Sequence, residues 1–283
     1  MNKYYRTAHN IASSPFLIIP TSIASLVCGV WLLIDKFNSI WPILFFILFL
    51  FLFFSVNYYS IFVRRENNTF KKIPEIIHNI NHSYRDILCE MFFRKRKSRS
   101  EEELLNVEEK TLRGVCQRIQ KIFTNLISRD CMITIKLITK DKRGRRYCET
   151  YVRGEENCER DNYSPKKFDV GTGKNTAFDE SLKLRNNRDR SHFHSPDLTA
   201  EEHYSNERQG WQNYYQSAIV VPIRYFNELK RGTLNASEDI GFLCVDTLSR
   251  NRLNNTYHVD LLASFADQMY NFMCLMRGNF KIS

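Results

Sequence analysis

The stretch "IGFLCVDTLSRNRL", Ile240 to Leu253, decides the fold of this chain. Its first half is apolar and bounded by turn residues, as a buried strand is. Its second half is a polar turn. Behind it, "TYHVDLLASFADQMYNFMCLMRG" places Val259, Leu262, Ala266, Met269, Met273 and Met276 at helical spacing, which predicts a long last helix with one apolar seam. Ahead of it, "SAIVVPIRY", Ser217 to Tyr225, is a second strand, joined to the first by the long turn "FNELKRGTLNASED".

Working further back gives the matching half. Ile133, Ile135 and Leu137 alternate with polar positions, "KDKRGRR" makes a hairpin turn, and "YCETYV" returns. Residues 154–167 are irregular and polar. "FDVGTGKNTAFDESLKLR" predicts a turn and a short helix, and a long polar stretch then runs to about Trp211. In front of these strands, Ser100 and Glu103 form a capping box for the helix "EEELLNVEEKTLRGVCQRIQKIFTNLIS". Leu105, Leu112, Ile119 and Leu126 recur every seven residues there, with Val115 and Ile122 between them. That seam fits either a coiled coil joining two copies into a homodimer or a helix packed on its own domain. The order helix, two strands, irregular crossover, two strands, helix is that of an α+β domain. Its central antiparallel sheet is flanked by N- and C-terminal helices over residues 101–283.

The first third reads differently. "FLIIPTSIASLVCGVWLLI", Phe16 to Ile34, and the run from Phe37 to Val63 are each long enough to cross a bilayer. The expectation is a two-helix transmembrane hairpin over 15–63, after a tail at 1–14. Lys3 and Arg6 lie on one side of it, with Arg64, Arg65, Lys71 and Lys72 on the other. That pattern puts both termini and the soluble domain on the cytoplasmic face of a plasma or inner membrane. Neither run holds an ionisable group, so the hairpin is either an anchor or, in oligomers, an apolar gate. Residues 64–100 read as a helical linker, with Pro74 in its first turn and the basic run "RKRKSRS" at its end. Arg94, Lys95, Arg96, Lys97 and Arg99 are either a lipid-surface contact or a solvated hinge.

Charge supports that division. Residues 1–100 hold 13 lysines and arginines against 5 acidic residues, and residues 101–283 hold 28 against 26. The basic excess flanks apolar segments rather than covering the folded part, so nucleic acid is not an expected partner. The eight cysteines make no CxxC pair and read as reduced buried thiols.

"SAIVVPIRY" followed by "IGFLCVDTLSRNRLNNTYHVDLLASFADQMYNFM" resembles the carboxyl half of GAF domains: a strand with "vPl", a hairpin, a "G-x-L-x-v-D" strand, a polar turn, then an apolar helix. The resemblance covers about residues 101–277, and its first half rests on element order. It implies a GAF-like fold and a sensing role, with cyclic nucleotides, tetrapyrroles, amino acids or other small molecules as ligands, or else dimerisation alone. Asp246, in the strand of the motif, is expected to shape the turn into the last helix.

Specific chemistries find little support. "KNTAFDE" holds the letters of a cyclic-nucleotide constellation in the wrong order and spacing. "GTGK" fails the phosphate-loop pattern at Phe168 and Asn175, leaving a bare anion nest as the remaining reading. "SHFHSPD" has no cysteine for a bilin, and His192, His194 and His203 sit in sequence that reads as loop, so no cofactor and no metal is expected. No catalytic constellation stands out, and an enzyme is not expected. The crossover concentrates aromatics, which either wall a pocket or plug the sheet. The candidate ligand-binding residues are Phe168, Lys174, Asn175, Phe178, Phe193, Arg208, Trp211, Tyr214 and Asp246. The functional expectation is a membrane-anchored small-molecule sensor that transmits a ligand- or partner-dependent helix rearrangement. Its rivals are a two-span membrane effector fired by a nucleotide-type signal and a dimerisation scaffold.

Overall fold

The computed structural model describes residues 29, 41–90, 100–155, 167–183, 192–226 and 237–278. The chain forms two compact units, 1–75 and 76–283.

Within the first unit, α1 (Trp41–Cys89) begins, and its described side chains include exposed Ile47, Leu48, Phe51, Leu52, Phe54 and Val56. Among the described residues no helix is long and apolar enough to cross a membrane. This corrects the two-span reading and the inner-membrane location drawn from it. The apolar run of α1 is diluted by Ser55, Asn57, Tyr58, Tyr59 and Ser60, then continues as one helix into the charged sequence around Arg64 and Glu66. The first expected span, Phe16–Ile34, lies outside the described residues apart from Gly29, and the basic run Arg94, Lys95, Arg96, Lys97 and Arg99 lies outside them altogether. Pro74 is not in a first turn but inside this 49-residue helix, where it removes one N–H from the ladder.

The second unit is built on a six-stranded antiparallel sheet of order β3-β2-β1-β6-β5-β4. The strands are β1 (Met132–Lys140), β2 (Arg146–Arg153), β3 (Lys167–Asp169), β4 (Phe193–Ser195), β5 (Ser217–Phe226) and β6 (Ser237–Thr247). The central pair β1–β6 matches Thr134 to Cys244 and Lys136 to Phe242. The close approach of these strands requires a glycine: a Cβ on Gly241 would lie 2.2 Å from the Lys136 carbonyl oxygen. The edge strands β3 and β4 were not expected. At three residues each they are too short for an alternation to show.

One sheet face carries Ile133, Ile135, Ile219, Val221, Ile223, Leu243 and Val245, all buried. Helix α2 (Glu101–Ile127) covers it over β1 and β2, and α4 (Thr256–Gly278) covers it over β5 and β6. The capping box at Ser100 and Glu103 forms as expected. Leu112, Val115, Ile119 and Ile122 are fully buried inside this unit, while Leu105 is exposed. Of the two readings of the seam, the one seen is a helix packed on its own domain. Near the end of α1, Ile80 and Tyr84 join the same layer, Tyr84 lying 4.8 Å from Phe272, and Arg118 donates to Ser83 Oγ at 2.5 Å.

Where α2 meets α4, Glu108 is fully buried. Arg277 Nη2 and Nε donate to its two oxygens at 2.8 and 3.2 Å, and the Tyr151 hydroxyl donates to it at 3.0 Å. Tyr151 reaches this face because the β1–β2 register skips it, passing from Ile135↔Val152 to Lys136↔Thr150. Burial and the Glu108 charge push the Tyr151 phenol well up.

Candidate functional site

The opposite sheet face is closed by the crossover between β2 and β5, which includes β3, α3 (Thr176–Leu182), β4 and a short turn at Trp211–Asn213. Its core holds Cys148, Phe168, Val170, Phe178, Phe193, Leu198, Val220, Phe242 and Cys244. Two aromatic chains run through it. Phe168, Phe178 and Phe242 are linked at ring distances of 6.0 and 4.9 Å. Phe193, Tyr204, Trp211 and Tyr215 are linked at 5.8, 4.8 and 6.0 Å.

Charge is folded into this layer. Thr134 and Lys136 alternate with Ile133 and Ile135, so strand geometry puts them on the opposite sheet face, under the crossover. Lys136 is 8% exposed; its Nζ donates to Thr150 Oγ1 at 3.0 Å and lies 4.1 Å from the Phe168 ring centre. Arg153 is 6% exposed and donates to Thr134 Oγ1 at 2.9 Å. Arg208, 3% exposed, stacks its guanidinium 3.4 Å from the Tyr214 ring centre. Asp246 lies two residues beyond Cys244 on the same face, half-buried, and its charge reaches the Tyr204 phenol. Cations are rarely buried this deeply unless they are paired, because leaving water costs several kcal/mol per ion.

The structure divides the expected site residues into two groups. Phe168, Phe178, Phe193, Arg208, Trp211, Tyr214 and Asp246 gather in or beside the crossover layer. Lys174 and Asn175 do not. Lys174 is mostly exposed and pairs with Asp169 at 2.5 Å and with Glu207 at 3.6 Å. Asn175 is a buried staple: its amide donates to the Asp169 carbonyl and the Glu207 carboxylate, and its oxygen accepts from the Glu207 N–H. The anion nest at Gly171 and Gly173 exists, with φ of 82° and 81°, but the chain fills it itself. Asp179 accepts both N–H groups at 2.5 and 2.6 Å. In the turn after β6 the Thr247 hydroxyl donates to the Asp130 carbonyl at 2.7 Å and accepts from Ser249 N–H at 3.3 Å.

Lys136 and Arg153 were missed by sequence reasoning. The signal for Lys136 was present, a lysine in the middle of an alternating strand whose polar side had no stated destination. Arg153 needed the bulge at Tyr151 to place it. The thiols of Cys131, Cys148 and Cys244 are pushed up to about 12 by burial, so they stay protonated near neutrality. Among the described residues no three His, Cys, Asp or Glu side chains converge as a metal site.

No protein-family model matches the chain, and no curated protein matches it. Solved structures similar to it include a type II free methionine-R-sulfoxide reductase from Thermoplasma acidophilum, at 16% identity over 60% of this chain and 95% of that one, TM-score 0.41. The GAF domains of two phosphoenolpyruvate-protein phosphotransferases are also similar. That from Acinetobacter has 12% identity over 65% and 99%, TM-score 0.39. That from Coxiella burnetii has 10% over 64% and 96%, TM-score 0.40. The fold is α+β: the antiparallel sheet has one face committed to the helices at the two ends and the other to the crossover.

Proposed function

We propose that the GAF-like domain is a sensory module. A polar small molecule is held in the crossover layer, and α2 and α4 report its presence from the other sheet face. The observation that carries this reading is the burial of three cations on the crossover side of a sheet whose other face is almost wholly apolar: Lys136 against the Phe168 ring, Arg208 against the Tyr214 ring, and Arg153 on the Thr134 hydroxyl. A layer built only to plug the sheet gains nothing from desolvating three cations. Aromatic walls with a few fixed polar groups are the composition of ligand sites. The resemblance of the Ser217–Met273 sequence to GAF domains agrees with sensing. Signalling then requires that the ligand favour one packing of α2 and α4 over another.

The test is native mass spectrometry of the full-length chain purified under mild conditions, followed by analysis of released small molecules. A retained mass is expected in the wild type and lost when Lys136→Met and Arg153→Met are combined. Identical spectra from wild type and the double variant, or no retained mass together with no thermal shift against a metabolite extract, refute the proposal.

A further inference from the structure

We propose that His258 and His194 form an acid-sensitive latch between the crossover and the first turn of α4. His258 is 3% exposed, and among the described residues neither of its ring nitrogens has a hydrogen-bond partner. Its surroundings are aromatic: Phe123 of α2 at 6.0 Å between ring centres, and its own neighbour Tyr257 at 4.3 Å. From β4, His194 is the titratable group that acts on it. His194 is tied down, its Nε2–H donating to the Leu253 carbonyl in the turn that leads into α4. Asn255 caps that helix by accepting from Tyr257 N–H at 3.2 Å, which puts His258 in the first turn.

Each of these features works against a charged ring. An imidazolium must donate from both nitrogens, and among the described residues no acceptor meets either one. The first turn of a helix presents partial positive charge. A second histidine stands nearby. Burial first, and His194 second, push His258 down to about 4 from 6.5. The sign is that of a group protonated more readily in the opened state. The closed turn is therefore fully favoured above pH 6.5 and loses ground as pH falls from there toward 4. At pH 5 the opening equilibrium rises about 30-fold over its value at pH 8. The proton comes from solvent, and no bond to a cofactor is involved. Acid thus loosens α4 from α2 and from the turn that β4 holds, acting on the reporting helix whether or not anything occupies the crossover.

The test is hydrogen exchange of the full-length chain read by mass spectrometry on peptides spanning 254–262, corrected for intrinsic rates, from pH 8 to pH 5. The wild type is expected to open about 30-fold more at the acid end. His258→Leu is expected to show a pH response several-fold smaller at those peptides, with peptides of β1 and β6 unaffected. His194→Gln, which keeps a donor for Leu253, is expected to move the midpoint of the response toward higher pH. Equal acid responses in wild type and His258→Leu overturn the latch. Should His258→Leu not fold, NMR titration of the wild-type imidazole decides the matter: a midpoint below 5.5 supports the latch, and one at or above 6.5 overturns it.

Discussion

Replacing Arg277 with leucine should destabilise the domain far more than replacing Glu108 with glutamine. Glu108 is fully buried, whereas the Arg277 side chain is 35% exposed. Removing the arginine leaves a carboxylate with Tyr151 as its remaining donor among the described contacts. Breaking a buried pair in this way costs about 3–5 kcal/mol; the partial exposure of Arg277 lets solvent screen the pair, so about 3 kcal/mol is expected. Glu108→Gln instead leaves a cation that can turn toward water, and about 1–2 kcal/mol is expected. Replacing both residues with leucine removes the charges together and should recover most of the loss, because the site is otherwise apolar and lies between α2 and α4. The assay is urea unfolding of the full-length chain, with Glu108→Leu added as the second single variant so that the leucine pair closes a double-mutant cycle. The reasoning fails if Arg277→Leu costs no more than Glu108→Gln, or if the two losses are simply additive in the double variant.

Two further outcomes are expected. Gly241→Ala forces a Cβ against the Lys136 carbonyl in the middle of the sheet, where neither backbone can yield. A loss of about 1–3 kcal/mol should appear as a lower Tm in a thermal melt, and an unchanged Tm would mean that β1 and β6 are less close than described. Asp179→Ala strips the acceptor from the Gly171 and Gly173 N–H groups and should cost about 1–3 kcal/mol. Added phosphate should then stabilise the variant and not the wild type, as a thermal-shift titration can read; equal phosphate responses would refute the filled-nest account.

The sequence alone determined the order of the major elements and the inward faces of most of them. Alternation in "ITIKL" and "SAIVVPIRY" and the helical spacing of Leu112, Val115, Ile119 and Ile122 are local properties, and a strand or helix needs only its own residues to state which side is apolar. What that apolar side meets is not local. The α2 seam could equally have faced a second copy, and the packing on β1 and β2 decided between them. The aromatic residues of the crossover were legible because aromatics are conspicuous in polar sequence. The pairing of Lys174 and Asn175 with Asp169 and Glu207 was not legible: polar side chains in a loop look alike until their partners are placed beside them. Only the tertiary structure could bury Lys136 under the Phe168 ring and Arg153 on Thr134, bind Glu108 to Arg277 across 169 residues of chain, and leave His258 without an acceptor among the described residues. Burial and pairing belong to neighbours distant in sequence, and the energies of buried charges are set by those neighbours rather than by the residues next in line.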